Sequence, residues 1–167
     1  LNVERYLSEV PHSTISFINT FNAMSVSGYP LFLDYIQDLR RRYNVDFQRV
    51  HFDTPRLYSP AFLSCQILDS SYFDQIDQHV ELMKSRKQTS RTDLTGFSES
   101  EIERLERVAE WVRLPLPTDQ VARLRKDFYL LTQDYDQRQN KSFRNIFPEM
   151  TNFWMSCAEI ALKDRAL

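Results

Sequence analysis

STISFINTFNAMSVSGYPLFLDYIQDLRRRYNVDFQRVHFDTPRLYSP, residues 13–60, decides the fold. Thr14 to Phe21 is a β-rich run, and the polar and flexible residues Asn22, Ser25, Ser27 and Gly28 follow it. Pro30 opens an amphipathic helix to about Tyr43, with a stripe at Phe32, Tyr35, Ile36, Leu39 and Tyr43. Arg49 to Asp53 starts a second β run, and Pro55 should stop its ladder. Strand, helix and strand in that order make a βαβ unit, which normally builds a parallel sheet.

Ile15, Phe17 and Phe21 point to one side of the first strand, with Asn19 among them. Ser16, Ile18, Thr20 and, if the strand extends, Asn22 point to the other. A doubly covered parallel strand is apolar on both faces, so this split hints at a cavity on the second side. Two strong strands do not finish a domain, so the sequence reads as part of something larger. Its start at Leu1 fits an excised or processed segment.

Outward from that stretch the pattern is helical. Val3, Tyr6, Leu7 and Val10 have helical spacing, ended by Pro11. Ser64 to Leu68 reads equally as a short third strand or as an extended loop. Asp69 or Ser70 caps a helix bearing Phe73, Ile76, Val80 and Met83, and Lys84 to Thr95 reads as a flexible polar loop. Ser98 and Glu101 form a capping box before Ile102, Leu105, Val108 and Val112. Thr118 caps a long helix using Val121, Leu124, Phe128, Leu131 and Tyr135, and a polar stretch, Asp136 to Lys141, follows it. A short helix at residues 142–147 and a last one from about Glu149 to Lys163 complete the chain. The expected class is α/β: a partial parallel barrel segment of two or three strands in residues 1–68, then a helical extension in residues 69–167.

Composition excludes several classes. With 21 basic and 23 acidic residues, no global attraction to nucleic acid or membrane arises. No apolar run approaches the roughly 18 residues of a membrane span, and no signal peptide is visible. Cys65 and Cys157 lack metal-ligand spacing and fit buried thiols in a reducing, cytoplasmic setting. Only Gly28 and Gly96 are glycines, which leaves no phosphate-cradling loop, and there is no GxSxG elbow. His79 sits on a charged helix and reads as a surface residue; His51, between Val50 and Phe52, reads as a core or supporting residue. Arg40, Arg41 and Arg42 complement the helix dipole. Asn19, Thr20 and Asn22 cluster at the carboxyl end of the first strand, where α/β sheets bind ligands. Asp53 ends the second strand. For each of these, ligand contact and local turn capping both stand.

The string SFINTFNAMS (residues 16–25), the proline-opened helix ending in Leu39-Arg40 and the segment His51-Phe52-Asp53-Thr54-Pro55 together resemble the second half of the barrel in radical S-adenosylmethionine (SAM) proteins. The likeness is to phage and bacterial members with a twitch domain, and Phe147-Pro148-Glu149 is similar to their C-terminal region. The resemblance implies that these are the fifth and sixth strands of a partial barrel. Asn19, Thr20 and Asn22 would then top the fifth strand, and Asp53, Pro55 and Leu57 would follow the sixth, near the cofactor's ribose, methionine and adenine. The family's CxxxCxxC motif is absent, and no auxiliary-cluster cysteines occur. Thiolates are the required ligands of a [4Fe-4S] cluster, and two cysteines 92 positions apart cannot replace them. The expectation is a segment, inactive alone, that completes the SAM pocket of an oxidoreductase whose N-terminal, cluster-binding half is its partner; the substrate is unknown. The competing expectation is a non-enzymatic helical module that binds a partner protein. A nucleic-acid role for Arg40–Arg42 and Lys84–Arg91 ranks last.

Overall fold

The computed structural model describes residues 2–163. Helix α1 (Asn2–Glu9) leads into strand β1 (Ile15–Ile18), helix α2 (Tyr29–Tyr43) and strand β2 (Val50–Asp53). Five helices follow: α3 (Ser70–Ser85), α4 (Glu99–Trp111), α5 (Thr118–Gln139), α6 (Phe143–Ile146) and α7 (Thr151–Lys163). The architecture is a mostly helical α/β fold on a two-stranded parallel sheet that does not close.

The strands pair in register, Ile15 with Val50 through Ile18 with Asp53. Aligned partners share a face, so Ile15, Phe17, Val50 and Phe52 lie together on the inner side. Phe32 of α2 meets both phenyl rings there, at 6.3 Å from Phe17 and 5.8 Å from Phe52. Ser16, Ile18, His51 and Asp53 make the other face, where Ile18 is 73% exposed. Ser16 is exposed there too, while His51 and Asp53 are half-buried and Asp53 meets Arg104 of α4.

The two edges differ. Amides of Ile15, Asn19 and Phe21 donate to Arg49, Asp53 and Pro55, so β2 turns alternate backbone groups outward. The first of those outward groups are held by α2 and its C-cap: Arg40 Nε donates to the Val50 carbonyl, and Asn44 Oδ1 accepts the Arg49 and Val50 amides. On β1 the same alternation aims Ser16, Ile18 and Thr20 at a side with no strand partner among the described residues.

Arg40 is fully buried. It also donates to the Gly96 carbonyl and binds Glu101 through both guanidinium ends, at 2.6 and 3.3 Å. The dipole reading of the three arginines therefore fits only exposed Arg41 and Arg42. Arg40 lies on the inner stripe with Ile36 and Leu39, and reaches across β2 to the helix α4 capping box. Arg49 does similar work on the other side, donating to the carbonyls of Leu7, Val10 and Ser13 and so finishing α1.

Several expectations need correction. Residues 64–68 form no third strand; Cys65–Ile67 is a 3-10 turn begun by Ser64, whose hydroxyl accepts the Gln66 amide. The ordinary local capping of a serine wins over a short β run. The 84–95 stretch is not a loose loop. Helix α3 continues to Ser85, the Gln88 amide donates to the Phe97 carbonyl while the Phe97 amide donates to that of Arg86, and Asp93 accepts from the amides of Thr89, Thr95 and Gly96. Asp69 precedes α3 without a side-chain cap and pairs instead with Arg125. Helix α5 absorbs most of the polar 136–141 stretch and ends at Asn140, which adopts the left-handed conformation asparagine tolerates. Its core side uses Leu124, Phe128, Tyr129 and Thr132; Leu131 and Tyr135, read as core, are exposed.

Candidate functional site

Pairing continues past the strands and holds their carboxyl ends side by side. The Asn19 amide donates to Asp53 O (2.9 Å), Phe21 to Pro55 O (2.7 Å), and Leu57 to Phe21 O (3.0 Å). All six sequence-chosen residues therefore sit on two adjacent, hydrogen-bonded segments. Buried Tyr29 pins this end: its hydroxyl meets Thr54 Oγ1 at 2.7 Å and its ring stands edge-on to Phe21 at 5.0 Å. Burial pushes that phenol far above its ordinary range, so it stays protonated.

Two recesses flank the segments. One, of about 400 Å³, lies beside β1 and is lined by Phe17, Ile18, Asn19, Met24, Ser25 and the start of α2. Asn19 is half-buried there, and its side-chain amide makes no hydrogen bond among the described residues. Thr20 is exposed. Asn22 serves the turn: Oδ1 accepts the Met24 amide and Nδ2 donates to Thr20 O, as the local alternative predicts. The other recess, of about 450 Å³, lies beyond β2 between Asp53–Tyr58 and α4. Asp53 pairs there with Arg104 at 2.6 Å. Pro55 lines it as well, while Leu57 turns toward a third, smaller hollow with Leu116 and Leu124.

Sequence reasoning missed three groups here. His79 is buried, not a surface residue: its ring reaches Val26 O at 2.8 Å and packs 5.7 Å from Tyr29, so it holds the β1–α2 connection against α3. Burial lowers its pKa, which leaves it neutral near pH 7. The signal was available, since Ile76, His79, Val80 and Met83 share one helical face despite the charges between them. Arg56 and Arg107, lining the second recess, were also overlooked. His51, by contrast, lies half-buried on the face away from α2, its ring against Gln48 O.

The metal chemistry of the resemblance does not fit this chain by itself. Among the described residues no three His, Cys, Asp or Glu side chains gather to hold a metal. Cys65 and Cys157 are both buried and unpaired by disulfide, and desolvation pushes each thiol up to about 12. Such thiols are poor ligands. No helix among the described residues is long and apolar enough to cross a membrane. Comparison with family models, curated proteins and solved structures finds no match to this chain.

Proposed function

We propose that this chain is the closing wall of a partial α/β barrel in a radical SAM oxidoreductase, completing the cofactor pocket and shaping substrate access. One observation carries the reading: a parallel sheet whose outer β2 edge is bonded to α2 at Val50, whose β1 edge is open, and whose far face exposes Ser16 and Ile18. Parallel strands are normally covered on both sides, and a two-stranded sheet is small for an independent unit. An outer edge bonded to a helix is what the last strand of an unclosed barrel needs, and the open strand is where its predecessors pair. The far face then becomes the inner wall.

In that setting Asn19 and Thr20 offer polar contacts to SAM. Asp53, Pro55 and Leu57 follow the neighbouring strand end, and Asn22 supports the turn. The cofactor, with its cluster, supplies the radical chemistry; these residues bind, orient and exclude water. The cluster's thiolates come from the N-terminal half, since this chain lacks them.

The test begins with the coding sequence ahead of Leu1. Joined to a half bearing CxxxCxxC and reconstituted without oxygen, the protein is expected to turn brown and to release 5′-deoxyadenosine from SAM. Asn19→Ala lowers SAM affinity about tenfold, the worth of one good hydrogen bond. A natural start codon at this end, or a colourless protein, ends the proposal. A second reading, a non-enzymatic helical module, is favoured by one feature. An apolar recess of about 450 Å³ between α5 and α6 is lined by exposed Leu131, Tyr135 and Ile146.

A further inference from the structure

Three arginines and one aspartate line the recess beyond β2, an excess of two positive charges. Arg104 is neutralised by Asp53. Arg56 and Arg107 have no carboxylate partner among the described residues, unlike Arg40, Arg42, Arg86, Arg113 and Arg125.

Arg56 is also held in place. Its guanidinium carbon lies 4.7 Å from the Tyr58 ring centre and 4.9 Å from that of Trp111, and Nε donates to Tyr58 Oη at 2.7 Å. The aromatic faces and the Nε bond fix the plane of the fork, while both terminal nitrogens stay free of protein acceptors among the described residues. An arginine with its entropy already spent and its binding edge vacant is suited to an incoming oxyanion. Arg107 stands three residues after Arg104 on α4, hence about one turn along the same side.

We propose that this recess binds the phosphate-monoester group of a small substrate, with Arg56 and Arg107 as its two forks. A monoester is largely a dianion near pH 7 and matches the local excess of two charges; a carboxylate needs only one fork. The site opens at the carboxyl end of β2, one strand from Asn19. Only the claim that the bound group belongs to a substrate rests on the barrel-wall reading.

Calorimetric titration of the full chain with inorganic phosphate and with adenosine monophosphate tests this, acetate serving as the carboxylate control. Expected is saturable one-to-one binding to both phosphates, weaker at pH 5.5 than at pH 7.5 as the dianion is lost. Arg56→Gln and Arg107→Gln should each weaken it about tenfold. Arg123→Gln, an exposed arginine on α5, should leave it unchanged. Arg56→Lys, which keeps the charge but not the fork, should recover only part, and thermal melts confirm that each variant folds. No saturation, equal loss in Arg123→Gln, or acetate binding as tightly as phosphate overturns the proposal. Stronger binding of a mixed-sequence oligonucleotide through the same arginines overturns it too, in favour of a nucleic-acid surface. Failure of the barrel reading leaves phosphate binding intact, and failure of phosphate binding leaves 5′-deoxyadenosine release intact.

Discussion

Arg40 and Glu101 form an ion pair with almost no solvent contact, and both are tied to backbone or cap groups besides. Removing one partner strands the other's charge, which costs about 3–5 kcal/mol. Glu101→Ala should therefore lose that much stability in urea denaturation, and a loss below about 1 kcal/mol would rule out a closed pair. Gly96 beside it admits no side chain, since a Cβ there would come within 2.6 Å of the Gln88 backbone nitrogen. Gly96→Ala is expected to cost about 1–3 kcal/mol from overpacking, whereas Gly28→Ala, with open space around it, should stay within about 0.5 kcal/mol. His79 gives a pH signature. Its folded pKa is lowered, so the unfolded chain binds the proton more readily. Stability is then full above the unfolded pKa of about 6.5 and falls as pH drops below it. Urea midpoints between pH 7.5 and 5.5 should show this slope, and His79→Gln should flatten it.

At the scale of elements, the strands and helices follow local pattern closely, and the connections follow side-chain chemistry that has to be seen in place. The Ser98–Glu101 box, the Pro-opened α2 and the β2 run stand where spacing puts them. Residues 86–97 do not, because their order comes from backbone pairing at Phe97 and from one carboxylate. Asp93 accepts from three backbone amides and the Thr95 hydroxyl, which hold its pKa well below the usual carboxylate range. That contribution is present above the unfolded pKa of about 3.9 and is lost as pH falls through it toward the depressed folded value. Protection of the Thr95 and Gly96 amides, measured against the intrinsic exchange rate at each pH, should fall in acid before that of the rest of the fold. Asp93→Asn should show the lowered protection already at pH 7, and unchanged protection in that variant would refute the account. Helix α5 teaches a different lesson. Its stripe of 121, 124, 128, 131 and 135 drifts around the cylinder, so the core selects Thr132 instead. That hydroxyl donates to backbone carbonyls and accepts the Trp154 indole N–H.

For the whole molecule, the open β1 edge and bare Ile18 have a physical consequence whichever functional reading holds. Unpaired strand edges recruit other strands. The chain alone should self-associate with rising concentration in sedimentation runs, and Ile18→Lys should suppress this without shifting its melting temperature. A strictly monomeric wild-type chain would count against an edge built to be paired. Much of this was legible beforehand. Two-residue alternation and a proline-opened helix specify a βαβ unit, its parallel sense and its polar strand ends, because those signals act between near neighbours in the chain. The rest turns on partners far away in sequence. Which edge is held, why Arg40 and His79 are buried, and how Arg56 comes to lie over Trp111 all depend on contacts spanning tens of residues. Periodicity reports which side of an element is apolar; only packing in three dimensions decides what that side, and each charge beside it, finally meets.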